Sequence, residues 1–495
     1  MSKNKIHLTS AQGAFEREII GALDKGLCNN NQYLLTLLNI FQNDTKNLGE
    51  SFTDVYFPPN SSSLVNNVLR SNASYKTDEW KRLKADLYQN NTIFLKKFNT
   101  KKLFNFGGLV PNLELVLSVM CENPVRIKKL FISEKLNNEG SYMVNIYHRG
   151  ELKPVLIDDY VPVNEENIAQ VMLSSNMTQE DSKVDIWPNL IAKALAKHYI
   201  NYERLIGQTI PGLMNDLSGM PTKEYKIRKL DFKQLRRCFV QNYMVISKAK
   251  KEFIKEFVNV DSKSLVTFHC HLVHAIDLSG TGDENSFFMQ MKNITHDFNK
   301  QTTFNTAQKL AAIADWKKHK KTAKDNCDTF WVTWAEFQEF FSAVYVTHYE
   351  AGYTQQQKKF LLKDNQIFAL DLQVNSNKSL VYIENDQLDK LYSEKSYNYS
   401  DVRMYVIRRE HDTEENHTSS TLVRAAMFNN TRTNFVEVLL TKGRYTVICE
   451  CEKTQYMKDY TLSLYHEPTS LIEIEKKDNF VIKRAYNDII CSMAI

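Results

Sequence analysis

The stretch Phe106–Pro124, FGGLVPNLELVLSVMCENP, is the starting point for interpreting the whole chain. A glycine-rich turn leads into an apolar segment of helical length. Several enzyme folds place a nucleophile at the start of such a helix, where the helix dipole stabilises negative charge. The residues at this turn are Pro111, Asn112 and Leu113, none of which has a nucleophilic side chain. The stretch therefore predicts a helix with the layout of a catalytic helix and no reactive group at its start.

The segments around this helix alternate between helical and strand patterns. Residues 1–49 hold two short helical patterns, and residues 185–205 form an amphipathic helical pattern with apolar residues on one side. Residues 140–162 alternate like two strands around a turn at Arg149-Gly150, and residues 266–293 like two strands joined by a Gly/Asp loop. This mixture predicts an α+β core.

The predicted secondary structure changes after about residue 356, where short strand patterns follow one another at intervals. Strands spaced in this way, without helical patterns between them, are typical of an antiparallel β-sandwich. We therefore predict a sandwich over residues 356–495, including a C-terminal tail. The predicted strands are residues 367–374, 379–384, 403–409, 421–428, 434–440, 444–452 and 459–466.

Length and composition limit the class of protein. A chain of 495 residues is too long for one ordinary core, and its 43% apolar and 24% charged residues are typical of a soluble globular protein. The net charge of +5 is spread along the chain, which disfavours a nucleic-acid partner. No apolar run is long enough for a transmembrane helix, and no secretory signal is evident. Together with the sparse cysteines, this predicts a cytoplasmic protein.

In order along the chain, these segments resemble the calpain family of cysteine proteases, from about Phe52 to His466. The resemblance implies a papain-like core of two subdomains over residues 50–350 and a calpain-type sandwich over 356–495. The helical patterns of residues 1–49 lie outside the resemblance and predict a helical N-terminal extension. It rests on several short matches in the right order: FTDVYFPPNSSSL and EWKR, ENPVRIKKLF, GELKPVLIDDYVP, WPNLIAKALAKHYINYERLIG, LMNDLSGMP, DTFWVTWAEFQEFF, and VLLTKGRYTVICECE followed by DYTLSLYH.

The resemblance implies that the catalytic site is degenerate. The family nucleophile lies in a segment Q-G-x-L-G-D-C-W, and this pattern places Leu113 at the cysteine, Glu114 at the tryptophan and Gly107 at the glutamine that donates to the oxyanion. The nucleophile of a cysteine protease is the thiolate, and a leucine side chain has no lone pair or ionisable proton, so Leu113 cannot be a nucleophile. The loss of one oxyanion donor typically costs about 10²–10³ in rate.

The other two residues of the family's catalytic triad, a histidine and an asparagine, have counterparts in this chain. The segment HLVHAIDL resembles the family strand "HAYS-V-x-x-V", and we assign its catalytic histidine to His271. The orienting asparagine is assigned to Asn293, whose shielding tryptophan is replaced by Thr295. We expect both residues to be inherited strand residues with ordinary hydrogen bonds. Neither nearby cysteine replaces the nucleophile, because Cys121 lies about 12 Å farther along the helix, and Cys270 points to the opposite face of the strand from His271.

No metal or cofactor is expected. His269 and His271 would share a strand face, but a zinc site needs three or four ligands and the nearest acid in the sequence is Asp277. A family calcium ligand falls at Phe104, whose ring cannot coordinate calcium, and no EF-hand pattern follows the sandwich. We therefore expect no dependence on calcium through the core.

These observations predict a catalytically inactive calpain-like protein that serves as a scaffold or binding module. Two alternatives are a calcium- or phospholipid-responsive protein that acts through the sandwich, and a residual cysteine-type endopeptidase. We expect protein partners, no nucleic acid, and docking through the N-terminal helices. The family association adds a cytoskeletal or ciliary location. Because residues 109–117 are so apolar, we also expect a closed or filled cleft with Leu113 buried.

Overall fold

The computed structural model describes most of the chain, which divides into two units. Unit 1 comprises residues 1–148 and 152–348, and unit 2 comprises residues 149–151 and 349–495. The described residues are 3–49, 51–65, 79–87, 91–94, 110–163, 184–250, 269–277, 287–292, 329–348, 352–362, 367–389, 398–413, 416–429, 431–452, 458–470 and 472–475.

Unit 1 mixes helices and strands. Its α-helices are α1 (Lys3–Asp24), α2 (Asn31–Asn47), α3 (Ser61–Leu64), α4 (Pro111–Cys121), α5 (Pro124–Lys128), α6 (Trp187–His198), α7 (Tyr202–Ile206), α8 (Ile210–Ser218), α9 (Phe232–Val240) and α10 (Trp334–Phe340). Its strands are β1 (Trp80–Arg82), β2 (Asn91–Thr92), β3 (Ser141–His148), β4 (Glu151–Asp158), β5 (Tyr160–Pro162), β6 (Val184–Asp185), β7 (Thr222–Lys226), β8 (Met244–Ala249), β9 (His269–Asp277), β10 (Phe287–Lys292), β11 (Thr329–Thr333) and β12 (Phe341–Thr347).

The helices α1 and α2 pack into the core of unit 1 instead of standing free. On α2, Leu34, Leu38 and Phe41 recur at helical spacing and are buried. The ring of Phe41 meets the ring of Phe52 edge to face at 5.1 Å. The apolar side of both helices is therefore buried within unit 1. Their outer sides, which include Ile20 on α1 and Ile40 on α2, stay accessible for the predicted docking.

The largest sheet of unit 1 has six strands in the order β11-β10-β9-β8-β12-β7, and every neighbouring pair in it is antiparallel. One face of this sheet packs against α9 and α10 in a shared apolar cluster that includes Leu235, Val245, Met289 and Phe337. The strand β9 lies inside the sheet, so both of its edges are paired. The sheet thereby fixes the backbone around His271.

The predicted hairpin around Arg149-Gly150 is confirmed. β3 and β4 form a two-stranded sheet, and the turn residues have φ of 55° for Arg149 and 75° for Gly150. Two successive left-handed residues are the geometry that matches the twist of a two-residue hairpin. Glycine adopts this conformation without strain, which explains its place in the turn.

The described elements of unit 2 are strands: β13 (Thr354–Leu362), β14 (Ile367–Val374), β15 (Ser379–Gln387), β16 (Asp401–Thr413), β17 (Asn416–Asn429), β18 (Thr433–Leu440), β19 (Gly443–Glu452), β20 (Lys458–His466) and β21 (Ile472–Glu475). They form a four-stranded sheet, β13-β20-β15-β18, and a five-stranded sheet, β17-β16-β19-β14-β21. Apolar residues of both sheets belong to one buried cluster, which includes Leu370, Val406, Ile383 and Leu462.

Candidate active site

The helix α4 carries Leu113 at the predicted nucleophile position. The helix begins at Pro111, where a missing N–H costs nothing, and Val110 provides no side-chain cap. Asn112 donates from Nδ2 to the carbonyl of Gln208, at 2.9 Å. Leu113 is 0% exposed, as expected from the sequence. Gly107 and Phe104 lie outside the described residues.

The helix α4 is buried on all sides from Leu113 onward. A helix with no solvent-facing side has to be apolar almost throughout, which its sequence satisfies. Cys121 at its end is fully buried, and burial raises the pKa of its thiol well above the ordinary value. Cys121 is therefore a buried core residue, as predicted, and its thiol stays protonated at neutral pH.

Glu114 is an acidic residue on this otherwise mostly apolar, buried helix. Its side chain is only 4% exposed, and its Oε1 has no hydrogen-bond partner in the described part of the chain. Burial raises the pKa of this carboxyl to about 8. A buried acid without a compensating charge stays protonated at neutral pH. The position that the resemblance assigns to a tryptophan thus holds a neutral carboxylic acid inside the protein.

The structure brings the predicted histidine strand to this helix. The helix α4 contacts both β8 and β9. His271 is the register partner of Ile246 on β8 and of Lys292 on β10. Asn293 directly follows Lys292 in the sequence, and it lies outside the described residues together with Thr295. The backbone of β9 therefore places His271 beside the end of the strand that leads to Asn293.

A second histidine on β9 was missed from the sequence. The family tetrapeptide begins with His-Ala, and the pair with that order in this chain is His274-Ala275. His274 is the register partner of Gln290, and a register shift between Gln290 and Met291 separates its position from that of His271. The signal was present in the motif itself, so His274 joins His271 as a candidate for the histidine position.

Lys292 lies where β10 ends, next to the predicted asparagine. It is 4% exposed and pairs with the carboxylate of Glu122 across 3.5 Å. Glu122 is the C-cap residue of α4. This ion pair ties the end of α4 to the end of β10, so it helps to fix how α4 lies on the sheet.

A set of buried charges, joined by one half-buried lysine, lies elsewhere in unit 1, and we call it the charge frame: Asp54, Arg82, Asp158, Asp159, Lys193 and the half-buried Lys197. Its central pair joins Lys193 to Asp158, and both side chains have 0% exposure. Asp158 also accepts a hydrogen bond from the backbone N–H of Asp54, at 2.7 Å. Arg82 pairs with Asp159 and donates to the carbonyl of Phe52.

Lys197 connects the charge frame to the N-terminal helices. Its Nζ lies 2.9 Å from a carboxylate oxygen of Asp54 and 3.0 Å from one of Glu16 on α1. Burial lowers the pKa of Lys197, but the carboxylates of Asp54 and Glu16 outweigh this effect, so the net shift is upward. Gln12, also on α1, donates to Asp54 at 2.7 Å. The frame thus holds α1 in place by charge and hydrogen bonds.

Metal-ligating residues do not cluster in the described part of the chain: it contains no group of three or more His, Cys, Asp or Glu side chains that could hold a metal ion. None of the described helices is long and apolar enough to cross a bilayer. The acids of the charge frame are instead satisfied by lysine, arginine and backbone N–H groups. Their arrangement is that of a structural network.

Comparison with known proteins places this arrangement in one family. A sequence model of the calpain family cysteine proteases matches residues 52–348. The calpain-type cysteine protease DEK1 of Arabidopsis thaliana is 23% identical over 316 residues, which cover 60% of this chain and 14% of that protein. Calpain-13 of Rattus norvegicus is 24% identical over 311 residues, which cover 60% of this chain and 44% of that protein.

The chain therefore spans less than half the length of these relatives. The family match nevertheless covers more than half of the chain, and it contains α4, β9 and the whole charge frame. The chain belongs to the calpain family of cysteine proteases.

Proposed function

We propose that this protein is a catalytically inactive member of the calpain family, with a papain-like core in unit 1 and a calpain-type sandwich in unit 2, and that it works as a scaffold or binding module. The observation that carries the proposal is the fully buried Leu113 at the start of α4. A leucine has neither a lone pair nor a proton to lose, so this position cannot form the thiolate that a cysteine protease requires.

The five cysteines whose side chains the structure describes offer no replacement nucleophile. Cys28, Cys121, Cys238, Cys449 and Cys451 are all free and buried. A reactive cysteine needs partial exposure and a neighbourhood that lowers its pKa, whereas burial raises the pKa of both Cys121 and Cys449. In the proposed function these cysteines are therefore core residues without a catalytic role.

The contrast between the charge frame and the site supports the same proposal. Asp54, Asp158 and Lys193 come from segments that match the family, and all three are buried in ion pairs and hydrogen bonds. Within the same match, the nucleophile position has become a leucine and the neighbouring tryptophan an acid. The polar residues that hold the fold together are present, whereas the nucleophile and the oxyanion donor are replaced by Leu113 and Gly107. Such a chain keeps a large folded surface without proteolysis.

The catalytic half of the proposal is tested on the full chain with calcium and a thiol reductant. We expect no calcium-stimulated cleavage of casein or of fluorogenic peptides, and no labelling by a thiol-directed activity probe. The control is an active calpain in the same buffer. Cleavage that is blocked by a cysteine-protease inhibitor, and that persists in Cys121→Ala and Cys270→Ala variants, would contradict the assignment of Leu113 and support the endopeptidase alternative.

The binding half concerns partners and location. We propose protein partners in a cytoskeletal or ciliary structure, reached through outer surfaces and not through the buried position of Leu113. Detergent extraction of the source cell should leave the chain in the insoluble cytoskeletal fraction, and flotation with anionic liposomes should leave it unbound with or without calcium. Recovery in the detergent-soluble fraction would contradict the cytoskeletal location, and calcium-dependent flotation would favour the phospholipid alternative.

A further inference from the structure

The positive charge of this chain is concentrated in one segment. Residues 223–237 hold seven basic and two acidic residues, so their net charge of +5 equals that of the whole chain. The segment runs through β7, the short turn Ile227–Lys229 and most of α9. The excess charge is thus not spread along the chain, contrary to the expectation from composition. We call the seven cations the basic face: Lys223, Lys226, Arg228, Lys229, Lys233, Arg236 and Arg237.

All seven residues of the basic face are exposed, and they share one outer side of unit 1. The apolar residues between them belong to the cluster that packs on the six-stranded sheet: Ile227, Leu230, Phe232, Leu235 and Cys238. Since these residues point toward the sheet, the cations point away from it. On α9, Lys233, Arg236 and Arg237 are three and four residues apart, which places them on one side of the helix. The basic face is therefore one continuous surface.

The two acids of the segment leave most of this charge unneutralised. Asp231 is the N-cap of α9 and accepts a hydrogen bond from the backbone N–H of Gln234, at 2.7 Å. Glu224 pairs with Lys226 on the same strand. Four members of the basic face have no ion-pair partner in the part of the chain that the structure describes: Arg228, Lys229, Lys233 and Arg236.

The stability of α9 does not account for these cations. Lys233 lies in the first turn of the helix, where the helix dipole disfavours a positive charge. Arg236 follows three residues later, and like charges at this spacing repel each other. The dipole favours a cation in the last turn, so it accounts for Arg237. A cluster of like charges that opposes its own helix indicates a ligand of opposite charge.

The surroundings favour an acidic polypeptide over a lipid or a nucleic acid. A helix that lies on a bilayer inserts an apolar face, but the apolar side of α9 is buried, and Val240 alone adds an exposed large apolar residue to this described helix. Nucleic-acid sites combine cations with open aromatic rings, but Phe232 is buried and Tyr225 packs against the ring of His348. The guanidinium groups of the basic face match carboxylates in geometry.

We propose that the basic face binds an acidic segment, rich in aspartate and glutamate, of a second protein. This partner class rests on the role as a binding module proposed above. Its measurement involves no cleavage assay, so the acidic partner can fail while the absence of proteolysis still holds.

Fluorescence anisotropy of a labelled poly-glutamate peptide, titrated with the full chain, tests this proposal. We expect binding at low ionic strength that weakens as salt is added, because the charges are exposed and screened. The triple variant Lys229→Gln/Lys233→Gln/Arg236→Gln should bind about tenfold more weakly, since three exposed charge contacts of modest strength are lost. Its melting temperature should not fall, because these side chains are exposed and make no ion pair with described residues.

The matched control is Lys358→Gln/Lys378→Gln/Lys442→Gln, which removes the same charge from exposed lysines of unit 2. Its affinity for poly-glutamate should equal that of the wild type. An equal loss in both triple variants would reduce the effect to net charge, and no binding at low salt would leave no site; either result overturns the proposal. Phosphatidylserine vesicles and a DNA duplex are the comparison probes. Tighter binding to either, lost in the basic-face variant, would overturn it in favour of a lipid or nucleic-acid partner.

Discussion

Lys193 and Asp158 form an ion pair in which neither side chain reaches solvent. Lys193 also donates to the carbonyl of Tyr160, at 2.6 Å, and Asp158 accepts from the N–H of Tyr160, at 2.9 Å. The pair thereby joins α6 to the end of β4. Each partner thus makes further hydrogen bonds besides the ion pair, which is the condition under which a buried pair is tolerated.

Removing one member of this pair should be severely destabilising. Lys193→Met leaves the buried Asp158 without its countercharge, and we expect a loss of about 3–5 kcal/mol in the free energy of unfolding. Lys128→Met is the matched control. It breaks a pair with Glu134 at 3.0 Å whose side chains are 40% and 50% exposed, and such pairs contribute at most about 1 kcal/mol. Denaturant unfolding measures both. Equal losses in the two variants would refute a special role for the charge frame.

Glu114 should make the protein less stable as the pH rises. The pKa of its carboxyl is about 8 in the folded state, against an ordinary value of 4.5, because of burial. Between these values the unfolded chain releases the proton and the folded chain keeps it. Stability therefore falls as the pH rises from 4.5 to 8, by roughly 3–6 kcal/mol in total.

The variant Glu114→Gln isolates this effect, because a neutral amide of nearly the same shape does not titrate. We expect the variant to match the wild type near pH 5 and to be more stable by several kcal/mol above pH 8. Unfolding curves at both pH values measure the difference. If the stability difference between variant and wild type does not change with pH, Glu114 is not a buried neutral acid.

Ile200 holds a strained backbone that a single substitution should relax. Its φ is 83°, a conformation that a β-branched residue rarely adopts. Its side chain is 49% exposed, so little burial is lost on removal. We expect Ile200→Gly to raise the free energy of unfolding by about 1 kcal/mol, after allowance for the flexibility of glycine in the unfolded chain. Thermal melting measures the gain.

Asn242→Gly is the control for this substitution. Asn242 also has a positive φ, of 56°, but asparagine tolerates the left-handed region. We expect its melting temperature to stay nearly unchanged. A similar rise in both variants would attribute the gain to glycine itself, and a fall in Ile200→Gly would show that the isoleucine side chain contributes more by packing than its backbone costs.

Leu113 should act as a core residue. Its complete burial predicts that Leu113→Ala costs about 2–5 kcal/mol. Leu113→Cys is nearly the chemical reversion of the site, yet burial would raise the pKa of the new thiol as it does for Cys121. We therefore expect neither thiol labelling nor peptide cleavage in the folded Leu113→Cys variant. Turnover at the rate of an active calpain would show that the cleft opens and that one substitution had silenced it.

Patterns confined to a few neighbouring residues predicted much of the fold. The strand predicted at residues 367–374 coincides with β14, because its apolar residues and turn flanks are local signals. The edge strand β13 was missed. Its sequence TQQQKKFLL does not alternate between apolar and polar residues. Edge strands often carry polar and charged residues, so this strand lacks the usual signal. His274 was missed although its sequence signal, the His-Ala pair, was present. The histidine position was assigned to His271, three residues earlier.

The sequence by itself determined what depends on residue identity at one position or on local periodicity: the absence of a thiol at residue 113, the helices and most strands, and the order of motifs that marks the family. The tertiary structure alone decided which polar groups are paired and which are alone. Asp158 meets a backbone N–H 104 residues away and a lysine 35 residues away, whereas Glu114 meets no partner among the described residues. Burial and charge pairing depend on distant segments that converge only when the chain folds, so local sequence could not distinguish these acids.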